Sequence, residues 1–183
     1  MPVDKSGWVV GKVLAAQAAA RGTRPFLQFL DETPLSYAEA DDAANRLANG
    51  LLRQQVAQGE HVAVMVPNSV VYCTIWFALS RLGAVQVCIN TAYRGLFLSH
   101  VLANAAPRLM LVQAEYLPAL ADIEDEVPAL QQVFVLGLGP GQRGPPFKRI
   151  RVSPFEELLE APADPIRREV AYRDLGAIMY TSG

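Results

Sequence analysis

The stretch HVAVMVPNSVVYCTIWFALSRLGAVQVCIN, residues 61–90, decides the fold class. It opens with a continuous apolar, largely β-branched run, residues 61–66, which is typical of a strand buried on both faces of a parallel sheet. Pro67 ends that strand, a helix is predicted over residues 70–82, and a second apolar strand follows over residues 84–89. The stretch therefore predicts two parallel strands joined by a crossover helix.

The boundaries of that helix carry their own signals. Asn68 or Ser69 can act as its N-cap, and Gly83 supplies a C-terminal stop. Towards the N-terminus, a short strand is predicted over residues 26–30 and a second one begins at Leu35. Ser36 and Glu39 then have the spacing of a capping box, and an apolar stripe at helical spacing follows them. Local signals therefore define helix starts on both sides of the first buried strand.

The alternation of strand and helix continues to the end of the sequence. Strands are predicted over residues 108–112, 132–136 and 175–180, and helices over residues 96–105, 115–123 and 153–159. The last helix is predicted from Ser153 as N-cap, with Pro154 and Glu156 in the first turn, and residues 137–146 read as a loop rich in glycine and proline. This order predicts an α/β fold with an open, largely parallel sheet flanked by helices.

Composition excludes several classes of protein. The chain has 183 residues, of which 51% are hydrophobic and 19% charged, so it is not intrinsically disordered. Its 16 basic residues are balanced by 18 acidic ones, and the densest basic pairs, Arg149/Arg151 and Arg167/Arg168, are interpreted as solvated surface. A nucleic-acid partner is therefore not expected.

Positions 9–20 are rich in apolar residues, as is the core of a signal peptide. Gly11 and Lys12 interrupt the apolar run, and the valines recur at helical spacing, which favours an amphipathic helix. The longest other apolar stretch, residues 70–79, is too short to cross a bilayer. No membrane span is predicted.

The two cysteines, Cys73 and Cys88, show no Cys-x-x-Cys spacing and no nearby histidine that would complete a metal site. They are interpreted as buried free thiols, which fits a reducing, cytoplasmic setting. No metal-ligating residue is predicted in this segment.

Three loops are candidate ligand contacts, because ligands of parallel sheets sit beyond the carboxyl ends of the strands. These loops are residues 67–69, residues 90–95 and the final Thr181, Ser182 and Gly183. The last three supply two hydroxyl groups and a glycine that allows close backbone approach, which suits a phosphate, although the same residues also form ordinary polar turns.

Other conspicuous side chains are given structural interpretations. His61 and His100 have no neighbouring groups that would make a catalytic triad. Tyr93 and Arg94 are candidates for the border of a phosphate or cofactor entrance, but a solvated arginine beside a packed tyrosine is favoured. The remaining ones are Trp8 and Trp76, interpreted as packing anchors, and the pairs Asp41/Asp42 and Glu156/Glu157, which are helical neighbours that do not face one site.

The final segment DLGAIMYTSG, residues 174–183, resembles the start of the nucleotide-binding loop of the adenylate-forming superfamily, the AMP-binding acyl-CoA synthetases and their relatives. Three upstream motifs extend the resemblance in the same order. They are LSYAEA at residues 35–40, VAVMVPN at residues 62–68 and NTAYRG at residues 90–95, the last being typical of fatty-acid or carnitine-type CoA ligases. The resemblance covers Trp8 to Gly183.

The resemblance implies a two-step ligase that uses ATP, Mg²⁺ and CoA. A carboxylic acid, expected to be a fatty or carnitine-like acid, is activated as an acyl-adenylate and then transferred to the thiol of CoA. On this reading Thr181, Ser182 and Gly183 contact the ATP phosphates, and the segment holds no catalytic residue and no metal ligand.

The resemblance also implies that residues 1–183 are a partial N-terminal AMP-binding domain, inactive by itself, without the rest of that domain and the mobile C-terminal domain. The alternative is a non-catalytic α/β module from a truncated gene that binds a nucleotide or a partner through its sheet edge. A Rossmann dehydrogenase is not favoured, because no Gly-x-Gly-x-x-Gly follows an early strand, and prolines interrupt residues 137–141.

Overall fold

The computed structural model describes residues 5–30, 33–139 and 144–181. Its elements in chain order are α1 (Val10–Arg21), β1 (Pro25–Leu27), β2 (Leu35–Ser36), α2 (Tyr37–Arg53), β3 (His61–Met65), α3 (Val70–Leu82), β4 (Val85–Cys88), α4 (Gly95–Ala105), β5 (Leu109–Gln113), α5 (Leu117–Ala121), β6 (Gln132–Leu136), β7 (Arg151–Pro154), α6 (Glu156–Leu159) and β8 (Ala177–Met179), with 3-10 turns at Ala114–Tyr116 and Glu124–Glu126.

The chain divides into two compact units. The helical unit comprises residues 1–59, 68–84 and 158–176. The sheet unit comprises residues 60–67, 85–157 and 177–183.

The sheet unit contains a six-stranded sheet in the order β7-β6-β5-β3-β4-β8. Each neighbouring pair is parallel; Val62 of β3, for example, lies opposite Gln86 of β4 and Leu109 of β5. The strand–helix–strand prediction for residues 61–90 is confirmed to within a residue or two at each boundary. The predicted α/β class with a parallel sheet is confirmed as well.

One helix face closes the core of the sheet unit. From α4, the buried residues Leu98, Val101 and Leu102 join side chains of the central strands such as Met65 and Met110 in a single apolar cluster. These helical positions are three or four residues apart, so they share one face. The helix predicted over residues 96–105 is therefore confirmed, with its packing face.

The helical unit contains α1, α2 and α3 with the antiparallel pair β1–β2. The predicted capping box is present: the Glu39 backbone N–H donates to Ser36 Oγ at 3.3 Å, and Ser36 N–H donates to the Glu39 carboxylate at 2.8 Å. At α3, Tyr72 N–H donates to Ser69 Oγ at 3.1 Å, and the helix stops at Gly83 in the left-handed region. The sequence signals for both helix starts are confirmed.

A buried ion pair that the sequence did not indicate joins α3 to α2. The Arg81 side chain is only 8% exposed, and its two terminal nitrogens donate to Asp41 and to Asn45. At Gly11 of α1, a Cβ atom would lie 2.7 Å from Arg81 Cγ, so α1 passes directly over the stem of this arginine. Asp41 is therefore a structural partner of Arg81. Among the described residues, Asp41 and Asp42 share no contact that would place both carboxylates in one site.

Several expectations about exposure are wrong. Trp8 and Trp76 are 59% and 43% exposed and do not act as packing anchors. The buried face of α3 includes Ile75 and Leu79, which are four residues apart. Trp76 does not belong to that face and points to the outer side of the helix. In α1, Gly11 and Leu14 are buried but Val13 is exposed, so the burial does not follow the valine stripe.

The thiols of Cys73 and Cys88 are free and half-buried, whereas full burial was expected. Burial raises the pKa of the Cys73 thiol. In the part of the chain that the structure describes, no helix has both the length and the apolar character to cross a membrane.

The C-terminal third departs most from expectation. Ser153 and Pro154 belong to β7, which the sequence did not predict, and α6 begins only at Glu156. Proline is tolerated at position 154 because the N–H groups of Arg151 and Phe155, on either side of it, donate to the carbonyl oxygens of Gln131 and Val135, so the donors toward the β6 strand fall on odd-numbered positions. The helix predicted over residues 115–123 is a 3-10 turn followed by the short α5.

The last strand is shorter and less buried than predicted. β8 covers Ala177–Met179, pairs with β4 at the end of the described sheet, and leaves Met179 75% exposed. Of the predicted loop at residues 137–146, positions 140–143 lie outside the described residues.

A second buried charge fixes the start of β7. The Glu124 carboxylate is buried and accepts hydrogen bonds from the backbone N–H groups of Lys148, Arg149 and Ile150 at 2.9, 2.7 and 3.0 Å. Burial disfavours the ionised form, but the three donors outweigh it and hold the pKa of Glu124 below its usual value. The carboxylate thus replaces the strand partners that residues 148–150 lack.

Glu124→Gln is expected to lower the free energy of unfolding by about 2 kcal/mol, because a neutral amide oxygen accepts weaker hydrogen bonds and its NH₂ group faces backbone donors. Urea unfolding at neutral pH measures the loss. The matched control is Glu126→Gln, in the same 3-10 turn but exposed, which is expected to change stability by less than about 0.5 kcal/mol.

The same variant has a pH signature. Since the folded-state pKa of Glu124 lies below its ordinary value of 4.5, its stabilisation is complete above that value and is lost as the pH falls through the folded-state pKa. The stability difference between the native chain and Glu124→Gln therefore shrinks in acid. An unchanged difference at about pH 3 contradicts this assignment.

Candidate functional site

The candidate site lies at the carboxyl edge of the parallel sheet. Cys88 of β4 lies opposite Met179 of β8, so the loop that starts at Asn90 and the segment that starts at Tyr180 leave the sheet side by side. Two of the three predicted ligand loops are thus neighbours. The third contains Ser69, which caps α3 in the helical unit.

The loop at residues 90–95 is braced by its own side chains. Asn90 Oδ1 accepts the Ala92 N–H at 2.9 Å, and the Arg94 guanidinium donates to the carbonyl oxygens of Thr91 and Tyr93 at 2.6 and 2.7 Å. The same guanidinium stands 5.4 Å from the ring centroid of Tyr116. These contacts give the loop a fixed shape next to β8.

The structural interpretation of Tyr93 and Arg94 is confirmed and made more specific. Tyr93 packs against the sheet core and stacks on Phe97 with ring centroids 6.2 Å apart. Arg94 is exposed, but its Nη1 donates to two carbonyl groups of its own loop. Its role in the structure is to hold the loop, with the remaining guanidinium donors facing outward.

Tyr180 anchors the segment that carries the predicted phosphate residues. Its hydroxyl accepts from Asn104 Nδ2 at 2.9 Å and donates to the Val101 carbonyl at 3.5 Å, and both partners belong to α4. Thr181, the next residue, is exposed. Ser182 and Gly183 lie outside the described residues. Sequence reasoning missed Tyr180, although residues 178 and 180 alternate onto one face, as a strand requires.

Neither histidine hydrogen-bonds to a residue of the candidate site in the part of the chain that the structure describes. His61 stands at the amino end of β3, where Nδ1 lies 2.7 Å from the Ala105 carbonyl, a hydrogen bond that places the proton on Nδ1. Beside it, Arg108 and Glu60 form an ion pair at 3.0 Å. His100 is exposed on α4. Both arrangements agree with structural or surface roles.

A cavity of about 440 Å³ in the helical unit is lined mainly by apolar side chains, among them Trp8, Phe26 and Phe77, with Gln17 as a polar member. It accounts for the exposure of the Trp8 ring. None of the predicted phosphate-binding residues lines this cavity.

The described residues do not fit a Mg²⁺ site. Among residues 5–30, 33–139 and 144–181, no group of three or more His, Cys, Asp or Glu side chains is placed to share a metal ion. Mg²⁺ prefers carboxylate and phosphate oxygens in octahedral geometry. No reaction step is therefore derived through a metal held by these residues.

A parallel α/β sheet with two adjacent segments at its carboxyl edge, the braced loop at residues 90–95 and the segment that carries the exposed Thr181, is typical of nucleotide-binding α/β domains. The family described as AMP-binding enzyme matches this chain over residues 14–183, and the chain belongs to that family.

Curated relatives carry ligase and transport names. A long-chain-fatty-acid–CoA ligase of Mycobacterium tuberculosis is 33% identical over 86 residues, which are 47% of this chain and 17% of the relative. The long-chain fatty acid transport protein 2 of Rattus norvegicus is 29% identical over 180 residues, which are 93% of this chain and 27% of the relative. The chain thus spans well under a third of these two proteins.

A solved structure shows the same fold. The anthranilate CoA ligase AuaEII, in complex with anthranoyl-AMP, superposes with a TM-score of 0.86 at 24% sequence identity. The match covers 99% of this chain and 33% of the ligase chain. The superposition shows that this chain shares the fold of that ligase, and the family match over residues 14–183 confirms the predicted membership of the AMP-binding superfamily.

A double-mutant cycle tests the hydrogen bond between Asn104 and the Tyr180 hydroxyl. Tyr180→Phe and Asn104→Leu are each expected to lower the free energy of unfolding by up to about 1 kcal/mol, because each removes one partner of the same hydrogen bond. The double variant is expected to cost less than the two single losses added together. Strictly additive losses in urea unfolding would show that the two groups do not interact.

Proposed function

We propose that the protein to which these residues belong is an ATP-dependent acyl-CoA synthetase. The carrying observation is the parallel pairing of β8 with β4, which brings Thr181 to the carboxyl edge beside the braced loop at residues 90–95. The anchor at Tyr180 supports this proposal, because it fixes the backbone immediately before the hydroxyl-bearing residues.

The proposed reaction has two steps. In the first, a carboxylate oxygen of the acid attacks the α-phosphorus of ATP, the bond to the bridging oxygen breaks, and pyrophosphate leaves. In the second, the thiolate sulfur of CoA attacks the acyl carbon and AMP leaves with the electron pair of the broken C–O bond. Both steps develop negative charge on phosphate oxygens, which hydrogen-bond donors can stabilise.

Thr181, Ser182 and Gly183 are proposed to meet that charge. Two hydroxyl groups and successive backbone N–H groups are the donor types that phosphate-binding turns use. Glycine lets the backbone come within hydrogen-bond distance of an anion without a side chain in between. The exposure of Thr181 supports the proposal, since no protein group covers it in the described residues.

Residues 1–183 are proposed to form part of the N-terminal AMP-binding domain. The supporting finding is that a relative matched over 93% of this chain is matched over only 27% of its own length. The 183-residue chain assayed alone is therefore expected to show no ATP–pyrophosphate exchange. Exchange by that chain at a rate comparable to complete relatives would contradict this part of the proposal.

The acid is proposed to be aliphatic, of the fatty or carnitine-like kind. Support comes from the loop NTAYRG at residues 90–95 and from relatives named for long-chain fatty acids. A relative in Rhodopseudomonas palustris, 25% identical over 173 residues, is named for benzoate and 4-hydroxybenzoate. Competition between laurate and benzoate for thioester formation by the complete enzyme tests the choice, and a preference for benzoate contradicts it.

Thr181→Ala is expected to lower kcat/KM for ATP about tenfold to a hundredfold, since a hydrogen bond to a charged group is worth about 1.5–3 kcal/mol. ATP–pyrophosphate exchange by the complete enzyme measures the change. The matched control is Thr33→Ala, an exposed threonine of the helical unit that is expected to leave kcat/KM unchanged.

An equal effect of both substitutions, or no effect of Thr181→Ala, contradicts the phosphate assignment. Absence of exchange with any acid in the complete protein favours the non-catalytic module, for which the outer edges of β7 and β8, the terminal strands of the described sheet, are the candidate surfaces. The two free thiols support a reducing compartment, and we place the protein in the cytoplasm on that basis.

A further inference from the structure

A small cavity of about 130 Å³ lies within the helical unit, between α1, the end of α3 and residues 165–170. Three of its lining residues are cationic, Lys12, Arg81 and Arg168, and Ser80 contributes a hydroxyl. No carboxylate is among the described residues that line it. Asp41 pairs with Arg81 from outside this lining, so Lys12 and Arg168 are the two lining cations without a carboxylate partner among the described residues, and their charge favours a negative occupant.

Arg81 gives the clearest sign of an occupant. Its side chain is more than nine-tenths buried, and its terminal nitrogens are used by Asp41 and Asn45 of α2. Its Nε–H is buried and has no hydrogen-bond partner among the described residues. Buried donors, especially charged ones, are almost always paired, so Arg81 is a lining residue whose hydrogen-bonding capacity the described residues do not fully use.

The other polar lining groups also keep donors in reserve. Lys12 Nζ donates to the carbonyl oxygens of Ser6 and Val170 at 3.3 and 2.9 Å, which leaves one of its three N–H groups. The Arg168 guanidinium donates to the Leu82 carbonyl at 3.1 Å with Nη1. Ser80 Oγ accepts the Gly11 N–H at 3.0 Å, so its own hydrogen can be donated elsewhere. The cavity therefore offers donors in excess of acceptors.

We propose that this cavity binds a small oxyanion of the phosphate class. Its volume of about 130 Å³ is sufficient for inorganic phosphate. The Asp41 carboxylate neutralises Arg81, so a phosphate dianion balances the remaining charges of Lys12 and Arg168. A tetrahedral oxyanion also accepts several hydrogen bonds at once, which matches the donors of four side chains.

The site is separate from the proposed ATP-phosphate turn. It is built by residues of the helical unit alone, whereas Thr181 belongs to the sheet unit. The inference does not rest on the proposed enzymatic function.

The test titrates the full chain with inorganic phosphate by calorimetry and follows the thermal unfolding midpoint, with chloride at matched ionic strength as the reference. Saturable binding of one phosphate and a rise of the midpoint with phosphate alone are expected, since a ligand of the folded state stabilises it. Arg168→Gln is expected to weaken phosphate binding about tenfold or more, because one charged donor is lost. Arg168→Lys, which keeps the charge, is expected to retain most of the affinity.

The matched control is Arg167→Gln, the exposed neighbour that does not line the cavity, which is expected to bind phosphate like the native chain. Thr181→Ala is also expected to leave the affinity unchanged, and Lys12→Met provides a second cavity variant if Arg168→Gln does not fold. The proposal is overturned if phosphate binding does not saturate, if chloride has the same effect, or if Arg167→Gln weakens binding as much as Arg168→Gln. Loss of binding in Thr181→Ala would assign the phosphate to the other site and also overturn it.

Discussion

The common direction of the six strands is the constraint on which the candidate site depends. Because every pair in the sheet is parallel, all strands end at one edge, and residues far apart in the chain are delivered to it together. The braced loop after β4 and the hydroxyl-bearing segment after β8 are neighbours for this reason alone. Their side chains then refine the arrangement, Arg94 by holding its own loop and Tyr180 by tying the neighbouring segment to α4.

Each unit also contains one buried charge with a different structural task. In the helical unit, Arg81 joins α3 to α2, and its Nε–H has no acceptor among the described residues. In the sheet unit, Glu124 accepts three backbone N–H groups and fixes the approach to β7. Buried charges are stabilising only when their hydrogen bonds are satisfied. Glu124 fulfils this condition within the protein, whereas the Arg81 Nε–H has no hydrogen-bond partner among the described residues.

The predictable part of the molecule is the part governed by local patterns. The strands and helix of residues 61–90 were predictable because apolar runs, Pro67 and Gly83 act within a few residues of themselves. β7 was not, because its stability comes from pairing with β6 and from Glu124, which lies more than 20 residues away. At the site, Thr181 was proposed from its residue type, but the anchoring role of Tyr180 depends on α4 and has no local signal strong enough to reveal it.

The position of β8 has a consequence for the order of folding. Cys88 and Met179, which lie opposite each other, are 91 positions apart in the chain, so their pairing closes a far longer loop than that of β3 with β4. Contacts of large sequence separation form slowly, because the entropy of loop closure is lost before any contact is gained. Among the described strands, β8 is also the last to be synthesised. The edge that brings residues 90–95 beside Thr181 is therefore expected to form only after β3 and β4 have paired, because it depends on the contact with the larger sequence separation.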